Sequence, residues 1–184
     1  MIGMLTGIIS YKGNSVILLD VHDVGYKILL PSILFQQTIL GERKTYYTYT
    51  YVREDALELF GFNEPEDLTL FEKLISVSGI GPRTALNIFS VGSRNDILSA
   101  IERSDTAFFK SVPRLGAKNA QKLIIELRGK LEEDSISQIS TENAEVVQAL
   151  EAFGFKQIEI LSALKDVEGT TEEKIKNVLK KLGR

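Results

Sequence analysis

The sequence has no cysteine and a single histidine, His22. That excludes a disulfide framework, a cysteine nucleophile and a Cys/His zinc site. Long apolar runs are missing too: none reaches the roughly 20 residues that a membrane helix needs. The opening stretch, Met1 to Ser10, mixes apolar residues with glycine and threonine and has no basic flank. It does not read as a signal peptide. No phosphate-binding P-loop occurs, so ATP hydrolysis by this chain alone is not expected. The reading from these absences is a soluble cytoplasmic protein that uses neither metal nor cofactor. Excess positive charge is lacking as well, since the net charge is -3 over 184 residues.

That total conceals an asymmetry. Residues 1–70 carry a net charge of -4, residues 71–130 carry +5, and residues 131–184 carry -4. Any positive field is concentrated on the middle of the chain. Hydrophobic residues make up 43%, which is ordinary for globular proteins and sufficient for one core or several small ones.

Local patterns follow the same boundaries. Up to residue 62, short apolar runs at Met4 to Ile9, Ser15 to Val21 and Gly25 to Leu30 alternate with turn residues such as Lys12-Gly13-Asn14 and His22-Asp23. Lys44 to Val52 interleaves Tyr46, Tyr47, Tyr49 and Tyr51 with threonines, a strong strand composition. Ala56 to Phe60 predicts a fifth strand, with Leu57 and Leu59 on one face. Five short strands in about 60 residues predict a small closed barrel of the OB type. After Asn63-Glu64-Pro65 the spacing becomes helical, and short helices alternate with glycine- or proline-marked turns as far as Leu131. Glu132 to Asn143 is polar and acidic and is expected to be a flexible linker. Beyond it, Val146, Val147, Leu150 and Phe153, then Ile158, Leu161 and Leu164, then Ile175, Val178, Leu179 and Leu182 outline three amphipathic helices. Gly154 and Gly169 punctuate them. The expected fold is α+β and multidomain: a barrel over 1–63, a helical domain over 64–131, a linker over 132–143 and a three-helix bundle of UBA type over 144–184.

The basic segment contains an internal repeat. Ile75-Ser76-Val77-Ser78-Gly79-Ile80-Gly81-Pro82-Arg83-Thr84-Ala85 matches Lys110-Ser111-Val112-Pro113-Arg114-Leu115-Gly116-Ala117-Lys118-Asn119-Ala120, 35 residues further on. Each copy runs from an apolar helix through a tight turn into a helix that begins with a small residue and a base. Glycine allows positive φ and close approach of another backbone. Proline suits the first helical position, as at Pro82. The free N–H groups of a helix start, with the helix dipole, favour an anion. Gly79, Gly81 and Arg83 in the first copy, and Arg114, Gly116 and Lys118 in the second, therefore outline paired phosphate clamps. Such clamps position a nucleic-acid backbone without reading base edges. This is the helix-hairpin-helix pattern, and its duplication makes it far more specific than a lone G-x-G.

With these motifs in place, nearly the whole chain resembles the RuvA family. Met1-Ile2-Gly3 with Leu5-Thr6-Gly7 is similar to the family's first strand. Val52-Arg53-Glu54-Asp55-Ala56 followed by Phe60-Gly61-Phe62 is similar to the end of its barrel. Leu74 to Thr84 and Val112 to Leu127 resemble its hairpins, and Ala149-Leu150 with Phe153-Gly154-Phe155 the start of its small C-terminal domain. The resemblance implies a non-catalytic subunit that binds Holliday junction DNA as a homotetramer, or as an octamer. It implies recruitment of the motor RuvB through the C-terminal domain, which the linker would leave free to move, and the resolvase RuvC as a further candidate partner. It also implies that Glu54 and Asp55 form an acidic pin at the junction centre, where carboxylates repel phosphates and keep strands apart. One departure stands out: the family has glycine where this chain has Arg114. If that position needs positive φ, arginine is strained there by on the order of 1 kcal/mol or more.

Two other classes compete. A helix-hairpin-helix glycosylase or nuclease needs a catalytic Lys or Asp and a pocket for a flipped base, and the short span after the second hairpin leaves no room for one. A single-strand binder would use the barrel, whose tyrosines are a candidate stacking face. The barrel's acidic balance argues against that use. His22 reads as a turn residue, and no acidic cluster shows metal-site spacing.

Overall fold

The computed structural model of the chain describes residues 1–164 and 167–183; the side chains of 132–142 and of Ile158 lie outside the described residues. The chain folds into two compact units, Met1–Arg128 and Gly129–Arg184.

The first unit opens with five strands: β1 Met4–Lys12, β2 Val16–Val21, β3 Val24–Leu29, β4 Arg43–Val52 and β5 Leu57–Phe62. They close into a barrel in the order β1-β2-β3-β5-β4, as the strand composition predicts. All pairings are antiparallel except the closing one, where β3 runs parallel to β5 with Ile28 opposite Leu59. The β2–β3 loop is two residues, His22 and Asp23, both at positive φ, a loop that matches the right-handed twist of the strands. The Asp20 carboxylate accepts from the Asp23 N–H at 3.0 Å and holds the turn. His22 is thus a turn residue, as expected.

Inside the barrel, Ile9, Ile17, Leu19, Ile28, Leu30 and Tyr46 are fully buried. Gly7 lets β2 approach: a Cβ there would lie 2.1 Å from the Asp20 carbonyl oxygen. The Tyr46 hydroxyl is buried without a hydrogen-bond partner among the described residues. Burial, reinforced by the charge of Glu42, pushes it up to about 12. Between β3 and β4 lies a six-residue helix, α1 Ser32–Gln37, which strand patterning does not foresee.

Helix α2, Pro65–Ile75, begins with proline at its first turn and seals the barrel. Its Phe71 stacks on Phe60 at 5.5 Å and meets Phe62 at 5.0 Å and Tyr49 at 5.5 Å. This corrects the reading of β5. Leu57 is exposed while Leu59, Phe60 and Phe62 are all buried, because α2 covers the outer face of the strand and abolishes the alternation. Tyr49 and Tyr51 are likewise occupied, against Phe71 and Phe60. Four helices follow: α3 Pro82–Ile88, α4 Arg94–Glu102, α5 Thr106–Lys110 and α6 Ala117–Glu142. Phe89 packs on Phe62 at 5.1 Å, so barrel and helices share apolar contacts. Ser93 and Asp96 form a capping box at the start of α4, satisfying two free N–H groups reciprocally. Arg94 lies 3.7 Å from Asp67. Burial raises the Asp67 carboxyl above the usual range, and the arginine partly offsets it.

The stretch expected as a linker differs from that reading: α6 is helical through Glu142. Residues 131–142 contain neither glycine nor proline, so nothing in the backbone chemistry breaks the helix.

In the second unit, α7 Ala144–Ala152, α8 Gln157–Leu164 and α9 Thr171–Lys181 form the three-helix bundle. Its core holds Val146, Val147, Leu150, Ile160, Leu161, Leu164 and Val178. Ile175, Leu179 and Leu182 pack at its margin. Phe153, expected to face this core, is 62% exposed. It sits at the C-cap of α7, just before Gly154 turns the chain at φ +88°. Of the expected core positions, the side chain of Ile158 lies outside the described residues. Among the described residues no helix is long and apolar enough to cross a membrane.

Candidate nucleic-acid interface

The repeat seen in the sequence is a repeat of structure. In the first turn, the Val77 N–H donates to the Leu74 carbonyl at 3.2 Å, Ile80 to Val77 at 3.0 Å, and Ala85 to Gly81 at 3.0 Å. In the second, Val112 donates to Phe109 at 3.2 Å, Leu115 to Val112 at 3.2 Å, and Ala120 to Gly116 at 3.0 Å. Every donor and acceptor is offset by 35 residues. The side-chain anchors match too: the hydroxyls of Ser76 and Ser111 donate to the carbonyls of Lys73 and Phe108 at 2.7 and 2.6 Å. Val77 and Ile80 are buried, as are Val112 and Leu115. Two inward apolar residues per turn fix the loop and push the residues between and after them outward. Gly79, Gly81 and Arg83, and Arg114, Gly116 and Lys118, are accordingly exposed.

The turns lie beside each other. A Cβ on Gly79 would lie 3.4 Å from the Asn119 Oδ1 of the second hairpin. Asn87, on α3, donates from Nδ2 to the carbonyl oxygen of Pro113 at 3.4 Å. All six residues singled out in the sequence therefore come to one region of the first unit.

The glycines divide into two kinds. Gly79 has φ +91°, a conformation that glycine adopts without steric cost. Gly81 has φ -89° and a β-type backbone, and Gly116 also lies outside the left-handed region. A Cβ on Gly81 or Gly116 would meet nothing within 4 Å. Neither the backbone nor the packing of this chain demands glycine there. What glycine offers at these positions is bare space on the solvent side. Next to Gly81, the first turn of α3 has no side-chain cap, so its free N–H groups have no side-chain acceptor there.

Arg114 has φ +67°. The second turn thus has the same backbone as the first, with arginine where the first has glycine, and carries the strain foreseen for it. Among the described residues neither Arg114 nor Lys118 has an ion-pair partner. Arg83 differs: its Nη2 donates to a carboxylate oxygen of Glu58 on β5. Sequence reasoning missed Glu58, which is 25 residues from Arg83 and carries no motif.

Glu54 and Asp55 occupy the exposed tip of the β4–β5 hairpin, which the Arg53 N–H closes by donating to the Ala56 carbonyl at 2.8 Å. The Arg53 guanidinium lies 4.8 Å from the Tyr51 ring. Among the described residues no cluster of three metal-ligating side chains occurs.

A closed five-stranded barrel followed by tandem helix-hairpin-helix turns defines the structural class. Comparison with known families agrees with each part. Residues 1–61 match the RuvA N terminal domain, and residues 71–130 match the SAM-like helix-hairpin-helix tandem. The chain is 41% identical over 165 residues to the Holliday junction branch migration complex subunit RuvA of Acholeplasma laidlawii, covering 89% of this chain and 88% of that one. It is 40% identical over 191 residues to the protein of the same name from Halothermothrix orenii, covering 100% and 98%. A third, from Herpetosiphon aurantiacus, is 36% identical over 195 residues, covering 100% and 99%. The chain belongs to the RuvA family.

Proposed function

We propose that this chain is the DNA-binding subunit of a branch migration complex, holding Holliday junctions by their phosphate backbones. The observation that carries this is the pair of hairpins with matching hydrogen bonds, each with an exposed glycine that nothing inside the protein requires. A sugar-phosphate backbone fits that bare space, with free amides and the bases Arg83, Arg114 and Lys118 around it. Gly79 shapes the first turn. Recognition then depends on shape and salt, with little sequence preference.

The subunit works as a homotetramer, or as two tetramers face to face, and contributes no covalent chemistry. Glu54 and Asp55, exposed at the tip of a hairpin, act as the acidic pin that repels phosphates at the junction centre. The C-terminal bundle recruits the ATP-driven motor RuvB, and the resolvase RuvC is a further candidate partner. The setting is the cytoplasm, in recombination and repair.

The test is a gel shift of a synthetic four-way junction against linear duplex and single strands of equal length, at two salt concentrations. Preference for the junction that weakens with salt is expected. Equal affinity for duplex reduces the hairpins to general phosphate clamps. Preference for single strands transfers the binding role to the barrel.

A further inference from the structure

We propose that Glu58 is an internal competitor for DNA: it holds Arg83 of the first hairpin in an ion pair that a phosphate must displace. This rests on the function proposed above.

The pair joins two parts of the first unit. Glu58 is the second residue of β5, opposite Tyr51 on β4. Its side chain is only 19% exposed, while that of Arg83 is 62% exposed. The carboxylate is thus the fixed member, held on a barrel strand. The guanidinium, on a long side chain, is the member free to exchange anions without any backbone movement. Around them is a cleft of about 430 Å³ that is also lined by Lys27, Asn87 and Ser90. When Arg83 leaves, Lys27 remains on the cleft wall as a cation for Glu58.

The second hairpin has no such device, since neither Lys118 nor Arg114 is ion-paired among the described residues. The two clamps are therefore unequal by construction. The second presents uncompensated charge and captures phosphate at a distance. The first presents a neutralised cation and engages only on contact, at a discount equal to the pair it breaks. An exposed ion pair is weak enough for phosphate to win and strong enough to loosen the grip. That is useful on a substrate whose arms must slide, where successive phosphates have to be released.

The experiment is a double-mutant cycle on junction binding with the full chain: wild type, Glu58→Gln, Arg83→Gln and the double variant, each checked by thermal melting. Glu58→Gln is expected to tighten binding by about two- to fivefold per engaged hairpin. The dependence of log affinity on log salt is expected to stay nearly the same, since Arg83 ends on a phosphate with or without Glu58. The gain should vanish when Arg83 is also replaced. A gain that persists in the Arg83→Gln background is a general charge effect and overturns the proposal. So does unchanged or weaker binding, which would make Glu58 a positioning residue for Arg83. If Glu58→Gln does not fold, Glu58→Thr, which suits a strand, replaces it in the cycle. The cycle reads equally on linear duplex. Absence of junction preference in the wild type therefore sinks the proposed function without touching this result, and absence of any DNA binding sinks both.

Discussion

The two hairpins have the same backbone hydrogen bonds and the same buried apolar pair, yet they differ at the positions that face outward. Gly79 is replaced by Arg114, and the paired Arg83 by Lys118, which has no ion-pair partner among the described residues. The turn tolerates an arginine at φ +67° because the rest of it is over-determined by two buried side chains and their hydrogen bonds. What the fold needs is therefore the inward pair, Val77 with Ile80 and Val112 with Leu115. The outward residues are free to vary, and two of them, Gly81 and Gly116, have nonetheless stayed glycine. The comparison separates positions held by the fold from positions that the proposed DNA contact would hold.

The largest expected effect tests that separation directly. Gly81→Val and Gly116→Val put a branched side chain into space that is empty in the protein and occupied by phosphate in the proposed complex. Each is expected to lower junction affinity by on the order of tenfold, about 1.4 kcal/mol. Stability should fall by no more than about 1 kcal/mol, the scale of a poorer N-cap. Fluorescence anisotropy with a labelled junction and thermal melting give the two numbers. Undiminished affinity in both variants would mean that no backbone approaches these glycines.

The next effect is smaller and opposite in sign at the two hairpins. Gly79→Ala introduces left-handed strain and should cost about 1 kcal/mol. Arg114→Gly relieves the same strain and should gain a similar amount, less the extra freedom glycine gives the unfolded chain. For a chain of this size that is roughly 2–4 °C in melting temperature. Arg114→Gly should bind the junction more weakly despite being more stable, because a cation near phosphate is lost. A variant both more stable and equally tight would show that Arg114 makes no DNA contact.

This comparison also shows what could be read from sequence. The barrel was legible because β-branched and aromatic runs stood between turn residues. The hairpins were legible because the repeat aligns one with the other, and the strain at residue 114 because the resembled family has glycine there. Other features were not. β5 is buried on both faces because α2 covers it, and a strand's own residues do not announce a cover supplied from elsewhere. The helical backbone of 131–142 follows from the absence of breakers, while polar composition alone suggested a linker. The Glu58–Arg83 pair joins a barrel strand to a hairpin helix, a contact fixed only by the closed tertiary fold.

The smallest prediction concerns whether the hairpins are clamped to each other or merely adjacent. Asn87 donates to the Pro113 carbonyl at 3.4 Å, near the outer limit for a hydrogen bond. Asn87 itself is half-buried, so water replaces the bond with little loss. Asn87→Ala should therefore change stability by less than about 0.5 kcal/mol, and should leave junction affinity unchanged. The buried apolar residues that shape each turn already set its position, and this contact adds nothing they do not supply. A drop of several degrees in melting temperature, or a loss of affinity comparable to Gly116→Val, would point the other way. The spacing of the two clamps would then depend on this bond, and the hairpins would act as one unit.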